Sequence, residues 1–328
     1  MELYPLIFKP QFKERIWGGT KLEKRFGKNL EGKTNIGESW ELSAVEGNVS
    51  VVENGSLAGN TLQELIEVYM DELVGGKVYE KHGDEFPLLI KFIDANDDLS
   101  IQVHPDDKVA KARHHAFGKT EMWFALDDAE NPRLISGFSK DTNKNEFLEK
   151  LKNGTLSDLF NYEQVKKGDV FFVPAGRVHA ICKGNLIAEI QQTSDITYRI
   201  YDYDRKDEQG NGRELHLDMS LDVMDFSKVK EAKVETKPQI NKPVELVSCK
   251  YFTTNMLNLS LKAQRDYFEF DSFVILICTE GKCRVGAKNG LKTEIKAGDT
   301  VLLPATLHDV EFEPLGGEVE LLEVYISK

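Results

Sequence analysis

The chain has 328 residues, with 42 Lys+Arg against 55 Asp+Glu, a net charge of −13, and 41 % hydrophobic and 9 % aromatic content. That length suits roughly two domains of about 150 residues, and the apolar content excludes a disordered chain. The acidic balance argues against nucleic acid, which needs a basic face, but leaves a small anionic substrate open because a pocket can be basic inside an acidic protein.

The N-terminus, MELYPLIFKPQFKERIWGG, lacks a basic start followed by a long apolar run. No stretch approaches the roughly 20 apolar residues that span a bilayer, so the expectation is a cytoplasmic protein without a membrane partner. Cys182, Cys249, Cys278 and Cys283 form no CxxC pair and read as reduced thiols. In chain order, Thr61 to Leu73 shows a helical stripe at 62, 65, 66, 69, 70 and 73. Strands are expected at Phe86 to Ile93 and Leu99 to Val103, a helix at Asp106 to His115, and a strand at Glu121 to Leu126. Short helices at Asn145 to Leu151 and Leu156 to Phe160 precede strands at Val170 to Val173 and Leu186 to Gln191. Lys228 to Glu245 is charged, holds two prolines and reads as a linker. Strands at Phe273 to Cys278 and Thr300 to Leu303 follow.

A weak internal repeat links Gly168-Asp169…Pro174-Ala175…His179 to Gly298-Asp299…Pro304-Ala305…His308. Gly-Asp makes a tight turn, four residues cross a sheet, and Pro-Ala ends the strand before a histidine is presented at a rim. The pattern resembles the second motif of cupin β-barrels. Two copies about 130 residues apart imply a mostly β chain of two cupin-type jelly-roll barrels with a few short helices. The expected division is 1–230, carrying the chemistry, and 231–328.

The chemistry-bearing residues lie in the first part. Along Ser100-Ile101-Gln102-Val103-His104-Pro105, Gln102 and His104 share one strand face. Glu121 opens a strand after Gly118-Lys119, and His179 ends the first repeat. Two imidazoles, a carboxylate and an amide from three segments suit Zn²⁺, and two His with one carboxylate also suit Fe²⁺. There is neither a P-loop nor a GxGxxG motif. Ser272 to Cys278 offers no His or carboxylate, and His308 has no evident ligand partners. The polar run Glu189 to Arg205 reads as pocket lining. There Glu189 could carry protons and Arg199 could hold an oxyanion.

Trp17-Gly18-Gly19, SIQVHPDD (100–107), GKTEMWF (118–124), PAGRVHAI (174–181) and EIQQTSDITYRIYDYDR (189–205) together resemble the type I mannose-6-phosphate isomerases, in their short bacterial form. The resemblance runs from about residue 5 to the C-terminus. It implies a zinc enzyme that interconverts mannose 6-phosphate and fructose 6-phosphate, with one Zn²⁺ on Gln102, His104, Glu121 and His179. It places the catalytic arginine at Arg199, and Lys91 and Lys119 in the pocket. Long members carry a larger helical insertion, whereas here Glu121 and His179 are only 58 residues apart. Isomerisation through an enediol needs a base, an electrophile and a phosphate anchor. Glu189 is the candidate shuttle, and Lys91, Lys119, Arg205 and Trp17 are candidate substrate contacts. The alternatives are a cupin Fe(II) dioxygenase and a non-catalytic sugar-binding cupin. Gln102, and the presence of Glu189 and Arg199, favour the isomerase. The sequence leaves the oligomeric state open.

Overall fold

Short runs in which apolar and polar side chains alternate make half-buried strands, and such runs fill most of this chain. The computed structural model describes residues 2–128, 130–206, 210–287 and 290–327. The strands of the first part are β1 (Leu6–Ile7), β2 (Gln11–Gly19), β3 (Ile36–Leu42), β4 (Leu88–Asp94), β5 (Ile101–Val103), β6 (Glu121–Ala125) and β7 (Arg133–Phe138). They continue with β8 (Phe160–Gln164), β9 (Val170–Val173), β10 (His179–Ile181), β11 (Leu186–Gln192), β12 (Tyr198–Tyr201) and β13 (Lys233–Val234). The later strands are β14 (Pro243–Ser248), β15 (Thr253–Leu259), β16 (Ala263–Asp266), β17 (Val274–Glu280) and β18 (Lys282–Ala287), then β19 (Lys292–Lys296), β20 (Thr300–Leu303), β21 (Asp309–Pro314) and β22 (Val319–Tyr325). Helices are few and short: α1 (Lys21–Phe26), α2 (Leu62–Val74), α3 (Gly76–His82), α4 (Asp107–His114), α5 (Lys144–Lys152) and α6 (Leu217–Val223). None is long and apolar enough to cross a membrane.

Four antiparallel sheets result. A seven-stranded sheet runs β13-β9-β6-β11-β4-β3-β2 and a five-stranded sheet β12-β5-β10-β7-β8. The later part adds a six-stranded sheet, β1-β20-β17-β22-β15-β14, and a four-stranded one, β16-β21-β18-β19. The chain is therefore mostly β with few helices, as expected. Among the described residues no sheet closes on itself.

The two Gly-Asp repeats fold alike. Gly168 and Gly298 have φ of 84° and 91°, a region that favours glycine. Asp169 and Asp299 each accept the backbone N–H three residues upstream, from Lys166 at 2.7 Å and Lys296 at 2.9 Å. The strands that follow, β9 and β20, span the residues expected. Helix α2 starts where its capping box dictates: Glu64 N–H donates to the Thr61 hydroxyl, and Thr61 N–H donates to the Glu64 carboxylate. The segment read as a linker does more than connect. Lys233 and Val234 pair with Phe171 and Val170, and Pro243 opens β14 on the sheet's edge, where a missing N–H is tolerated.

One apolar face of the seven-stranded sheet (Leu42, Ile90, Phe92, Met122, Phe124, Ile190) shares a core with Leu246, Ile275, Ile277 and Leu322 of the six-stranded sheet. Strand β1 reaches across the same seam, with Leu6 opposite Leu302. Leu6 is fully buried in that core. Leu6→Ala is expected to lower unfolding stability by about 3 kcal/mol, the usual range for a buried leucine truncation. Urea denaturation reads this, and a loss below about 1 kcal/mol would mean that β1 is not held as described.

Candidate metal centre and active-site cavity

The second face of the seven-stranded sheet is polar where it meets the five-stranded sheet. Register puts Trp40, Lys91, Glu189 and Trp123 side by side across β3, β4, β11 and β6. Glu38 and Glu121, each two residues from a member of that row, share its face. On the five-stranded sheet Arg199, Gln102 and His179 stand opposite one another across β12, β5 and β10. A cavity of about 660 Å³ is lined by residues of both sheets, Lys91, Glu189, Gln102 and Arg199 among them.

The side chains of His104, Glu121 and His179 converge beside the cavity, against its lining residues Gln102 and Lys119, one possible ligand atom of each lying within 4.8 Å of the others. All three are buried. Glu121 lies 3.6 Å from His104 Nε2 and 3.4 Å from His179 Nε2. The Gln102 amide is 3.2 Å from His179 Nε2. Each imidazole is oriented from behind. Nδ1 of His104 donates to the Ile196 carbonyl at 2.9 Å, and Nδ1 of His179 donates to the Arg177 carbonyl at 2.8 Å. A carbonyl only accepts, so both Nδ1 atoms carry the proton and both Nε2 atoms keep a lone pair toward Glu121. Both Glu121 oxygens are buried without a hydrogen bond among the described residues. Two imidazole Nε2 lone pairs, a buried carboxylate and an adjacent amide form a donor set that fits a metal ion, with Lys119 Nζ 3.1 Å from both His104 Nε2 and Glu121.

The segment that delivers Lys119 and Glu121 is clamped. Asp107 accepts from Gly118 N at 3.1 Å and from Gln192 Nε2 at 2.8 Å, and Gln192 Oε1 accepts Thr120 N–H at 2.9 Å. A Cβ on Gly118 would meet Asp107 N at 2.5 Å, so only glycine lets the two segments approach. The other Asp107 oxygen accepts from Tyr251 Oη at 2.7 Å, bringing the later part of the chain to the edge of the site. Asp106, its neighbour, caps α4 by accepting Val109 N–H.

Charge is balanced group by group. Lys119 Nζ lies 3.1 Å from Glu121, and Lys91 Nζ lies 3.3 Å from Glu189. Burial, and after it the Glu189 charge, push the Glu121 carboxyl upward. Burial also acts on Glu189, but Lys91 and Lys119 outweigh it and hold that carboxyl below its ordinary value. Burial drives His179 down to about 4 and His104 well below its ordinary value, so both rings are neutral at pH 7. For Lys119, burial is outweighed by Glu121 and Glu189, which raise it.

Of the residues singled out from sequence, Gln102, His104, Glu121, His179, Lys91, Lys119 and Glu189 are brought together, and Arg199 and Trp17 line the same cavity. Arg205 does not line it. Its guanidinium donates to Asp202 at 2.6 Å and to the Asp98 carbonyl, turned away by those partners. Sequence reasoning missed Lys13, Arg15, Glu38 and Trp40 on β2 and β3, and Arg213 and His216 after β12. The alternation Glu38-x-Trp40 was the available signal for the β3 pair.

A buried two-imidazole, carboxylate and amide set under a cation-rich cavity, on packed antiparallel sheets, defines a β-sheet protein built around a metal-competent pocket. Residues 6–136 match the family model described as phosphomannose isomerase type I, catalytic domain. The chain is 40 % identical to mannose-6-phosphate isomerase ManA of Bacillus subtilis, over 95 % of this chain and 97 % of that protein. It is 36 % identical to the mannose-6-phosphate isomerase of Streptococcus mutans, over 97 % of each. The crystal structure of the mannose 6-phosphate isomerase from Bacillus subtilis superposes with a TM-score of 0.88 at 34 % identity, covering 98 % of this chain and 99 % of that one. The chain belongs to the type I mannose-6-phosphate isomerase family.

Glu38 offers a test of the cavity's electrostatics. It accepts from Arg15 Nε at 2.9 Å and from Trp40 Nε1 at 2.6 Å. Burial raises its carboxyl, but Lys91 and Arg15 outweigh burial and bring it to about 2. A folded value below the unfolded one means that stability is fully present above about pH 4.5 and is lost as pH falls toward 2. Glu38→Gln is expected to cost up to about 3 kcal/mol at pH 7 and to flatten the loss of stability between pH 4.5 and 2. Denaturation midpoints measured across that range check it.

Proposed function

We propose that the protein is a zinc-dependent aldose–ketose isomerase that interconverts mannose 6-phosphate and fructose 6-phosphate. Family membership supports the reaction, and the buried donor set of His104, Glu121 and His179 is the observation that carries the metal. Gln102, His104, Glu121 and His179 would hold the ion, two neutral imidazoles and one carboxylate being a common zinc complement. When bound, zinc supplies Lewis acidity toward the oxygens on C1 and C2 of the open-chain sugar.

The remaining steps fall to the protein's own groups. Glu189 lines the cavity and is held ionised by Lys91 and Lys119, with Lys91 Nζ 3.3 Å from its Oε1. It is the base that takes the C2 proton of the aldose and returns it to C1. Trp123 Nε1 donates to its other oxygen at 2.9 Å and fixes its aim. Arg199 neutralises the charge that develops on the enediolate oxygens. Lys91 and Lys119 contact substrate oxygens from the floor, and Trp17 forms part of the wall. The fold is read as two cupin-type jelly rolls, 1–230 and 231–328, on the strength of the repeated Gly-Asp turn and the strand that follows it.

His104→Ala and His179→Ala are each expected to lose most of the bound zinc and the activity together, because affinity falls steeply when one of about four donors is removed. Metal analysis finding full zinc in both variants would overturn the assignment, as would unchanged activity after exhaustive chelation. Arg199→Lys is expected to lower kcat by about 100-fold with a smaller change in KM, since the interaction strengthens as charge develops. A kcat within about threefold of wild type would remove Arg199 from the chemistry.

A further inference from the structure

The cavity mouth carries a pair of guanidinium groups that the reaction scheme above does not fully use. Beyond Arg199, the segment 214–216 runs along the open edge of β12. His216 N–H donates to the Arg199 carbonyl at 2.7 Å, and the Arg199 side chain donates from Nη1 to the Glu214 carbonyl at 2.9 Å. His216 is thus the next residue out in the cross-strand series His179, Gln102, Arg199, and Arg213, just before that segment, lies on the same side of β12, away from Gln102. Each step in that series is about 4.8 Å, the spacing of paired strands.

Arg213 lines the cavity. Its Nε donates to Asp202 Oδ2 at 2.7 Å and its Nη2 to Asp202 Oδ1. One edge of the guanidinium is thus spent on a carboxylate, and Nη1 has no hydrogen-bond partner among the described residues. Asp202 is buried and also receives Arg205. Arg205 also lies 3.7 Å from Asp97, whereas Asp202 is the one carboxylate among the described residues within ion-pair distance of Arg213. Arg199 has no carboxylate of the described residues within ion-pair distance, and its Nε is buried without a partner. Burial, and then the nearby Arg213 charge, lower the Arg199 value, so the two cations feel each other.

Two guanidinium edges that repel each other and share a cavity wall form a site for an anion bearing several oxygens. In an open-chain hexose 6-phosphate, the phosphate sits at the far end of a six-carbon chain from the reacting C1 and C2. With C1 and C2 at the His179–Gln102 end, the phosphate falls at the outer end of the series. We propose that Arg213 binds the substrate phosphate and sets the preference for phosphorylated sugars, with Asp202 as the positioning residue that presents it. This rests on the sugar-phosphate isomerase reading. It also explains why Arg205, which shares Asp202, is turned away: it completes the mount while Arg213 faces the cavity.

The test uses zinc-loaded full-length enzyme, with steady-state kinetics on mannose 6-phosphate and competition by inorganic phosphate. Arg213→Gln is expected to raise KM by about 30-fold with kcat within about threefold, because a contact to a group that does not react is made equally in the ground and transition states. The inhibition constant of inorganic phosphate is expected to weaken in parallel. Any residual turnover of unphosphorylated mannose stays unchanged. Asp202→Asn is expected to give the same pattern at about a third of the size, and Arg213→Lys to recover part of the lost affinity. Unchanged KM and unchanged phosphate inhibition in Arg213→Gln overturn the proposal. So does a fall in kcat at constant KM, which would place Arg213 at the enediolate. If the wild type isomerises nothing, calorimetry of inorganic phosphate binding to wild type and Arg213→Gln still decides the anion site, separately from the reaction.

Discussion

The alternation of faces in the seven-stranded sheet is the constraint on which the rest of this structure depends. Side chains on a strand point alternately to opposite sides, so the odd residues of β4, Lys91 and Ile93, and the even ones, Ile90 and Phe92, meet different environments. The even face closes a core shared with the six-stranded sheet. The odd face carries Lys91 and, through register, Glu189 and Trp40 into the cavity, with Trp123 buried beside Glu189. A slip of one residue anywhere in β4 or β11 would bury charge in the apolar core and expose phenylalanine to the cavity.

Placing so many ionisable groups on one buried face is tolerable only because they are matched. An isolated buried carboxylate costs several kcal/mol, and the attraction of a close partner offsets this. Glu38 faces Arg15, Glu189 faces Lys91, and Glu121 faces Lys119. These pairs also set protonation. Glu189 is held as a carboxylate by two lysines, while Glu121, nearer the imidazoles, is pushed upward by burial and by Glu189 itself. Two similar acids a short distance apart thus receive different characters from their surroundings.

Much of this was legible in the sequence where local chemistry decides local structure. The Gly-Asp turns, the Thr61 capping box and the Gln102-x-His104 alternation each act within a few residues, and β9 and β20 lie where they were expected. Three strands from distant segments could be assembled into one donor set because the motifs carry ligand-type side chains at strand ends. Partners decided by register were hidden. Nothing near Arg213 announces Asp202 as its carboxylate, and Arg205, in the more conspicuous motif, is not among the residues that line the cavity. Nor does the sequence around Asp107 reveal that Tyr251, 144 residues later, hydrogen-bonds to it. The second Gly-Asp repeat shows the limit of a motif: His308 is exposed against Phe268, whereas His179 is buried among donors.

The pairing of β1 with β20 has a bearing on how the chain is made. Leu6 must find Leu302, nearly the whole length of the polypeptide away. At a synthesis rate of roughly 5–20 residues per second, the first strand emerges from the ribosome tens of seconds before its partner exists. Until then an apolar segment of the nascent chain, and the face of the seven-stranded sheet that awaits the six-stranded one, have no cover. Contacts of such long sequence separation also close late, because loop entropy must be overcome before they contribute. Docking of the first strand therefore has to wait until β20 has been made, and throughout that interval this apolar surface stays uncovered.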